Sequence, residues 1–195
     1  MINNKLIGLT GFARSGKDTF FLRSSNYLKS KGERATRFAF ADVLKKECDS
    51  LLTLNTGISA FTCIPEEKEL IRPLLVTYGT HIRRRLDPDC WINEIKLDVF
   101  KKISQGYYVF ITDVRYANEA KWIQSQGGLI FNIEREGVGP ANKEEMDESK
   151  SIKMLTNCRV RWPSFGDDKI SLCDKYVKNV LDRDFDQIFE KEFSF

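Results

Sequence analysis

Short apolar runs alternate along the chain with segments whose apolar residues recur at helical spacing. Five segments predict strands, at residues 6–10, 34–41, 107–112, 129–134 and 159–162, and the apolar runs at 6–10 and 107–112 are typical of buried strands. Helical periodicity between and after them predicts helices, among others at 17–31, 118–126 and 170–181. Pro73 is expected to open a helix at its first turn, because proline does not fit an unbroken helix interior. The alternation predicts an α/β domain with a mainly parallel five-stranded sheet flanked by helices.

Two segments interrupt this alternation. Residues 55–105 show helical patterns and no strand, which predicts a helical region within a single domain spanning residues 1–195. Residues 136–153 are polar and charged with little apolar periodicity, which predicts a lid or flap, or else an ordered loop. Phenylalanines recur at helical spacing in residues 184–195 and would either close the core or pack against a second subunit.

The first predicted strand ends in a glycine-rich turn that leads into a helix. Residues 6–19 read L-I-G-L-T-G-F-A-R-S-G-K-D-T. They match the P-loop pattern G-x-x-x-x-G-K-[ST], except that Asp18 follows the lysine and the hydroxyl comes at Thr19. Backbone N–H groups at such a turn converge on an anion, and Lys17 adds a mobile charge for the outer phosphates. The expected nucleotide-binding residues are Gly11, Ala13, Arg14, Ser15, Gly16, Lys17, Asp18 and Thr19.

Charged residues follow two other predicted strands, at the sheet edge where parallel sheets bind ligands. Asp113 ends a buried strand and is a candidate to hold Mg²⁺, with a helix cap as the alternative. Arg115 suits a bidentate phosphate contact, or it is a plain surface arginine. Asp42 ends the second strand and could accept a proton from a nucleophilic oxygen, orient it, or cap a helix. Lys45, one turn further on, would meet either phosphate or solvent.

Residues 78–91 concentrate cationic and aromatic side chains on predicted helices. Consecutive helical residues point in different directions, so at most one or two of Arg83, Arg84 and Arg85 can face a common ligand. Trp91 could stack on a base, although aromatic residues at helical spacing belong more often to the core.

Composition limits the setting of this chemistry. The formal net charge is only +3, so a basic surface must be local, and binding to a nucleic acid polymer is not indicated. The five cysteines form no C-x-x-C pair, which argues for reduced thiols. The sequence shows neither a secretory leader nor 18 consecutive apolar residues, so we expect a cytoplasmic protein without a membrane segment.

Four blocks occur in order over roughly the first two-thirds of the chain. They are G-F-A-R-S-G-K-D-T at 11–19, F-A-D-V-L-K at 40–45, Y-G-T-H-I-R-R-R-L-D-P-D-C-W at 78–91 and D-V-R-Y-A-N-E at 113–119. Together they resemble the deoxynucleoside monophosphate kinases of tailed bacteriophages. The resemblance implies a P-loop kinase fold that transfers the γ-phosphoryl group of ATP to a deoxynucleoside 5′-monophosphate with Mg²⁺. It also implies the host cytoplasm as the location, phage DNA synthesis as the setting, and often a homodimer.

The same resemblance implies roles for individual residues. Lys17 would stabilise the transferring phosphoryl group, Asp42 would lie at the acceptor phosphate, and Arg84 and Arg115 would hold that phosphate or the transition-state charge. The implied substrate-binding residues are Asp42, Lys45, Arg84, Trp91, Asp113, Arg115, Glu119 and Arg135. Arg135 would begin the flap.

Two features depart from these patterns. Asp18 stands where many P-loop kinases carry a metal-binding hydroxyl, so we expect Asp18 and Asp113 as the metal ligands. The family's histidine-serine-glutamate cluster in the flap is replaced here by Met-Asp-Glu-Ser-Lys at 146–150.

Two other functions fit the same loop. One is a small-molecule kinase resembling dephospho-coenzyme A kinase or phosphomevalonate kinase; the blocks at 78–91 and 113–119 favour a nucleotide acceptor instead. The other is a nucleotide-hydrolysing switch module. The chain has no N-K-x-D guanine signature, and its acids and arginines suit a second substrate.

Overall fold

A computed structural model describes residues 5–140 and 143–162, and in addition 174, 177–178 and 181–182. The chain divides into two compact units, Met1–Phe38 with Asp98–Phe195, and Ala39–Leu97. We call the first the sheet unit and the second the helical unit. Across the described part of the chain, no helix is long and apolar enough to cross a membrane.

The sheet unit is built on five parallel strands in the order β2-β3-β1-β4-β5. They are β1 (Leu6–Thr10), β2 (Ala35–Phe38), β3 (Tyr108–Ile111), β4 (Leu129–Arg135) and β5 (Cys158–Trp162). Every residue of β1 is buried, as expected for a central strand covered on both faces. Gly8 pairs with Ile111 of β3 on one side and with Ile130 of β4 on the other. The predicted α/β class and parallel five-stranded sheet are confirmed, and the arrangement is consistent with a P-loop kinase fold.

Seven α-helices are assigned within the described residues. They are α1 (Lys17–Ser30), α2 (Phe40–Thr56), α3 (Pro65–Val76), α4 (Arg84–Leu86), α5 (Cys90–Ser104), α6 (Ala117–Ser125) and α7 (Lys143–Lys153). A π-helix over Thr77–Arg83 joins α3 to α4 without a break. In the sheet unit, Phe20 of α1 packs edge-on against Phe131 of β4, with 5.9 Å between the ring centroids. The described cysteines Cys48, Cys63, Cys90 and Cys158 are free thiols, and Cys173 lies outside the described residues.

The helical unit has a small core of its own, formed by Cys48, Leu52, Ala60 and Ile71. The prediction that Pro73 opens a helix is wrong: Pro65 occupies the first turn of α3, and Pro73 lies inside that helix. Pro73 is exposed, so its ring faces solvent. The interior proline still lacks the N–H that an unbroken helix requires.

One other predicted boundary and two predicted helix caps are wrong. The second strand ends at Phe38, and Asp42 lies in the first turn of α2 instead of at a strand end. Its alternative role as a helix cap is wrong as well, because Ala39 is the N-cap. Asp113 does not cap a helix either, since α6 has Tyr116 as its N-cap.

The polar segment 136–153 contains an 11-residue helix, α7, so the alternative of an ordered loop is wrong, and its role as a lid or flap stays a prediction. Apolar periodicity was the wrong criterion here, because a helix can form on a mostly polar stretch that presents few side chains to a core. The predicted helix at 170–181 and the phenylalanine-rich tail at 184–195 lie almost entirely outside the described residues.

Candidate phosphate-binding site

The turn between β1 and α1 has a backbone that favours glycine at two positions. Gly11 has φ +132° and Gly16 has φ +97°, values in the left-handed region. A Cβ atom on Gly11 would lie 2.2 Å from the carbonyl oxygen of Ile133, so no larger residue fits there. Arg14 also has a positive φ, +65°. The Ser15 N–H donates to the carbonyl oxygen of Phe12 at 3.1 Å and closes the turn.

Lys17, the first residue of α1, is held by this turn. Its Nζ atom donates to the carbonyl oxygens of Gly11 at 2.7 Å and Phe12 at 2.8 Å. The pKa of Lys17 is lowered from 10.5 to about 8, mainly because the group is buried and in addition because of the nearby positive charge of Arg115. Three carboxylates oppose this shift, those of Asp18, Glu145 and Asp113. These four charged groups therefore all act electrostatically on the Lys17 ammonium.

The loop after β3 lies beside the turn, because β3 is hydrogen-bonded to β1. The Thr112 N–H donates to the carbonyl oxygen of Phe38 at 3.0 Å, and the Val114 N–H donates to that of Leu9 at 3.1 Å. These bonds hold the half-buried Asp113 at the carboxyl end of the sheet, as the parallel arrangement predicted.

Glu119 fixes the next part of the same loop. Its Oε2 atom accepts hydrogen bonds from the backbone N–H groups of Arg115 at 2.8 Å and Tyr116 at 3.0 Å. The Glu119 side chain is 0% exposed. Glu119 was expected to help build a nucleotide pocket; these contacts give it a part in positioning the backbone of Arg115.

Arg135 lies against the turn from the β4 side. Its Nη1 atom donates to the carbonyl oxygen of Arg14 at 3.2 Å. A Cβ atom on Gly16 would lie 2.7 Å from Arg135 Nη2 and 3.2 Å from Trp162 Nε1. The absence of a side chain at Gly16 therefore lets Arg135 and Trp162 approach the backbone of the turn.

Two carboxylates could contribute to a metal site. The Asp18 side chain is 86% exposed and forms an ion pair with Arg37, 3.8 Å from Asp18 Oδ1 to Arg37 Nε. Mg²⁺ is commonly held by one or two carboxylates together with substrate phosphates, so Asp18 and Asp113 fit such a site. In the part of the chain that the structure describes, no group of three or more His, Cys, Asp or Glu side chains could hold a metal alone.

A cavity of about 250 Å³ opens beside the turn. Its lining comes from the ends of β1 and β4 and from α7 and the residues after it, and includes Gly11, Ser15, Arg135, Ser149 and Lys153. Ser15 is 1% exposed, and its Oγ atom has no hydrogen-bond partner among the described residues. A buried hydroxyl in this situation suits a ligand oxygen, such as that of a phosphate.

Four predicted site residues belong to the helical unit. Asp42 lies in the first turn of α2, and its N–H donates to the carbonyl oxygen of Ala39 at 3.1 Å. The Lys45 Nζ atom lies 5.6 Å from the ring centroid of Phe61. Both residues are thus placed on α2 one turn apart, as their sequence spacing implies.

Arg84 and Trp91 are the other two. Trp91 is 2% exposed, and the guanidinium group of Arg83 lies 5.1 Å from its ring centroid. Arg83 also forms ion pairs with Glu47 at 3.2 Å and Glu94 at 3.4 Å. Of the three consecutive arginines, Arg83 is therefore engaged inside its own unit, and the role expected of Arg84 stays a prediction.

Glu145 is a residue of the site that the sequence did not single out. Its Oε1 atom accepts a hydrogen bond at 3.0 Å from the backbone N–H of Ala13, 132 residues away. Glu145 lies in α7, in the acidic segment expected to be a flap. No local sequence signal distinguishes it from its acidic neighbours, and only the fold brings it to the turn.

A protein of Acanthamoeba polyphaga mimivirus with the name "Putative deoxynucleotide monophosphate kinase" is 30% identical to the chain over 167 residues. The aligned region covers 76% of this chain and 83% of the viral protein. No protein-family model matches the chain.

Proposed function

The chain belongs to the nucleotide kinase family of its mimivirus relative, and we propose that it transfers the γ-phosphoryl group of ATP to a deoxynucleoside 5′-monophosphate. The observation that carries the proposal is the surroundings of Lys17. A glycine turn at the start of a helix supplies backbone N–H donors, and Arg115 and two aspartates act on the same ammonium group. Such a set can neutralise the charge that phosphoryl transfer develops on the equatorial oxygens.

The donor side is assigned to the turn itself. Backbone N–H groups between Gly11 and Thr19 would bind the ATP phosphates, and the buried Ser15 hydroxyl would donate to a ligand oxygen. Lys17 would exchange its bonds to two loop carbonyls for contacts with the outer phosphates. Phosphate charge would also favour the protonated form of this lysine, whose pKa burial lowers to about 8.

We assign Asp18 and Asp113 to the Mg²⁺ site. When bound there, the metal ion would neutralise phosphate charge and align the donor. Asp18 would then exchange its exposed ion pair with Arg37 for a metal contact, and Asp113 would act from the adjoining strand end. Both carboxylates would act directly or through water, as is usual for Mg²⁺.

The acceptor assignments rest on the resemblance of the blocks at 40–45, 78–91 and 113–119. By that resemblance Asp42 would orient the attacking phosphate oxygen and Lys45 would contact the acceptor phosphate. Arg84 and Arg115 would each hold that phosphate or the transition-state charge. Trp91 and Glu119 would support the nucleotide pocket. We therefore propose that residues 55–105 contribute the acceptor-binding region of a single kinase domain.

Arg135 and α7 would act at the lid, residues 136–153. Closure of a lid excludes water, so that ATP is not lost to hydrolysis before an acceptor arrives. The homodimer and the role in phage DNA synthesis rest on the sequence resemblance alone, and the cytoplasmic location rests on that resemblance and on the sequence composition.

A coupled assay of ADP formation tests the proposal. Each deoxynucleoside monophosphate, dephospho-coenzyme A and phosphomevalonate would be offered with ATP and Mg²⁺. We expect turnover with at least one deoxynucleotide and none with the other two acceptors. ADP formation that is the same with and without any acceptor would instead indicate a nucleotide-hydrolysing switch.

The variant Lys17→Met tests the loop within the same assay. Loss of one preorganised cation from a phosphoryl-transfer site should lower kcat at least about a hundredfold while the fold is retained. Lys29→Met, on the exposed last turn of α1, is the matched control and should keep full activity. Full kinase activity in Lys17→Met would refute the assignment of the loop.

A further inference from the structure

Glu145 makes a contact that the proposed reaction does not require. Its carboxylate accepts a hydrogen bond from the Ala13 N–H at 3.0 Å, within the turn assigned to ATP. Ala13 is exposed, and its hydrogen bond to Glu145 is accessible to solvent. Helix α7 is thereby attached to the turn through an anionic oxygen.

The chemistry of this contact is that of phosphate binding. A backbone N–H group in a glycine turn can donate a hydrogen bond to a phosphate oxygen. A carboxylate oxygen is also an anionic acceptor and can accept the same hydrogen bond. The negative charge of Glu145 also favours the protonated form of Lys17, so Glu145 and a phosphate group would act on the same cation. A triphosphate arriving at the turn would therefore meet a fixed negative charge near its own position.

We propose that Glu145 is an internal competitor of the donor phosphates, so that ATP must release helix α7 from the turn in order to bind. This inference rests on the proposed function and adds regulation to it. The contact is autoinhibitory: it lowers the affinity for ATP and links nucleotide binding to movement of the lid helix. If Glu145 instead held ATP, its removal would weaken ATP binding. If it only supported the fold, its removal would leave the ATP affinity unchanged.

Two variants separate the effect of the Glu145 charge from that of its hydrogen bond with Ala13. Glu145→Gln removes the charge and keeps an oxygen that can accept from Ala13, and Glu145→Ala removes both. Asp147→Asn is the matched control, because Asp147 lies on the same helix and is ion-paired with Lys150 at 3.1 Å. Asp147→Asn removes the same charge from α7, but the ion-pair partner of Asp147 lies on its own helix and not on the turn.

The measurement is isothermal titration calorimetry of the full chain with MgATP and, separately, with inorganic tripolyphosphate. No acceptor is present. An exposed charge-assisted hydrogen bond is worth little, so we expect Glu145→Gln and Glu145→Ala to tighten binding of both probes by roughly two- to tenfold. The tightening should be at least as large for alanine, and Asp147→Asn should bind like the wild type.

Three results would overturn the proposal. Unchanged or weaker binding in both Glu145 variants would show that the carboxylate does not compete. Equal tightening in Asp147→Asn would show an effect of net charge alone. A wild-type chain that binds neither probe would overturn both this inference and the donor assignment. Binding that follows the expected pattern in a chain that phosphorylates no acceptor would leave the inference standing and refute only the kinase reaction.

Discussion

The buried carboxylate of Glu119 is the most direct point at which to test how the fold positions the site. One of its oxygens accepts from two consecutive backbone N–H groups, those of Arg115 and Tyr116. The side chain is 0% exposed, so solvent does not reach these donors through it. Replacing Glu119 should therefore affect stability first, and activity through the position of Arg115.

The magnitude follows from the two hydrogen bonds. A hydrogen bond to a charged group contributes roughly 1.5–3 kcal/mol, and buried donors left without a partner add a desolvation cost. Because one oxygen serves both donors, we expect Glu119→Ala to lower the free energy of unfolding by about 3–5 kcal/mol. Glu119→Gln keeps an acceptor oxygen and loses only the charge, so its cost should be about 1–2 kcal/mol.

Urea unfolding followed by tryptophan fluorescence measures these differences. Glu69→Ala is the control, because Glu69 is 70% exposed and its pair with Arg72 should contribute less than about 1 kcal/mol. Steady-state kinetics should show kcat/KM for the acceptor reduced by at least about tenfold in Glu119→Ala and partly restored in Glu119→Gln. If Glu119→Ala unfolded at the same urea concentration as Glu69→Ala, the positioning role of Glu119 would be refuted.

Three further substitutions test the backbone of the turn and the core beneath it. Gly11→Ala should abolish MgATP binding in calorimetry, because the new Cβ atom would lie 2.2 Å from the Ile133 carbonyl oxygen; normal affinity would contradict this geometry. Gly32→Ala places a Cβ atom at another position of positive φ, +77°, where it would meet no atom within 4 Å. It should cost only about 1–2 kcal/mol in urea unfolding and leave ATP binding unchanged. Phe131→Ala should cost about 3–5 kcal/mol by the same measurement, because Phe131 is 0% exposed and packs against Phe20. A loss below about 1 kcal/mol would show that the strand core repacks.

The sheet and the turn were predictable because their signals are local and strong. A strand buried on both faces needs a nearly continuous apolar run, and β1 and β3 each provide one. The glycines of the turn are required by backbone geometry and appear directly in the sequence. The parallel direction of the strands follows from the alternation of strands and helices. It places Asp113, at the end of β3, at the same edge of the sheet as the turn after β1.

The start of α2 shows where short apolar runs give too little information. Residues 39–41 read A-F-A, which extends the predicted strand equally well as it begins a helix. In the structure these residues begin the helix: Ala39 has an extended backbone, with φ −145°, and α2 begins at Phe40. The predicted strand end and the observed one differ by three residues, which places Asp42 in a helix instead of at a strand end. Element boundaries are commonly uncertain by one or two residues.

Two glutamates show the limit of prediction more clearly. Glu119 bonds to residues three and four positions away, a spacing typical of a glutamate at a helix start, but Tyr116 is not one of the usual capping residues and conceals the signal. Glu145 reaches Ala13 across 132 residues, and its place in the site depends on the packing of α7 against the end of the sheet. A local rule could in principle have found the first and not the second. The turn that we propose binds phosphate is thus recognisable from local sequence, whereas the contact that we propose opposes ATP binding depends on the folded chain. Substitutions at Glu145 and at Lys17 should accordingly change ATP affinity in opposite directions.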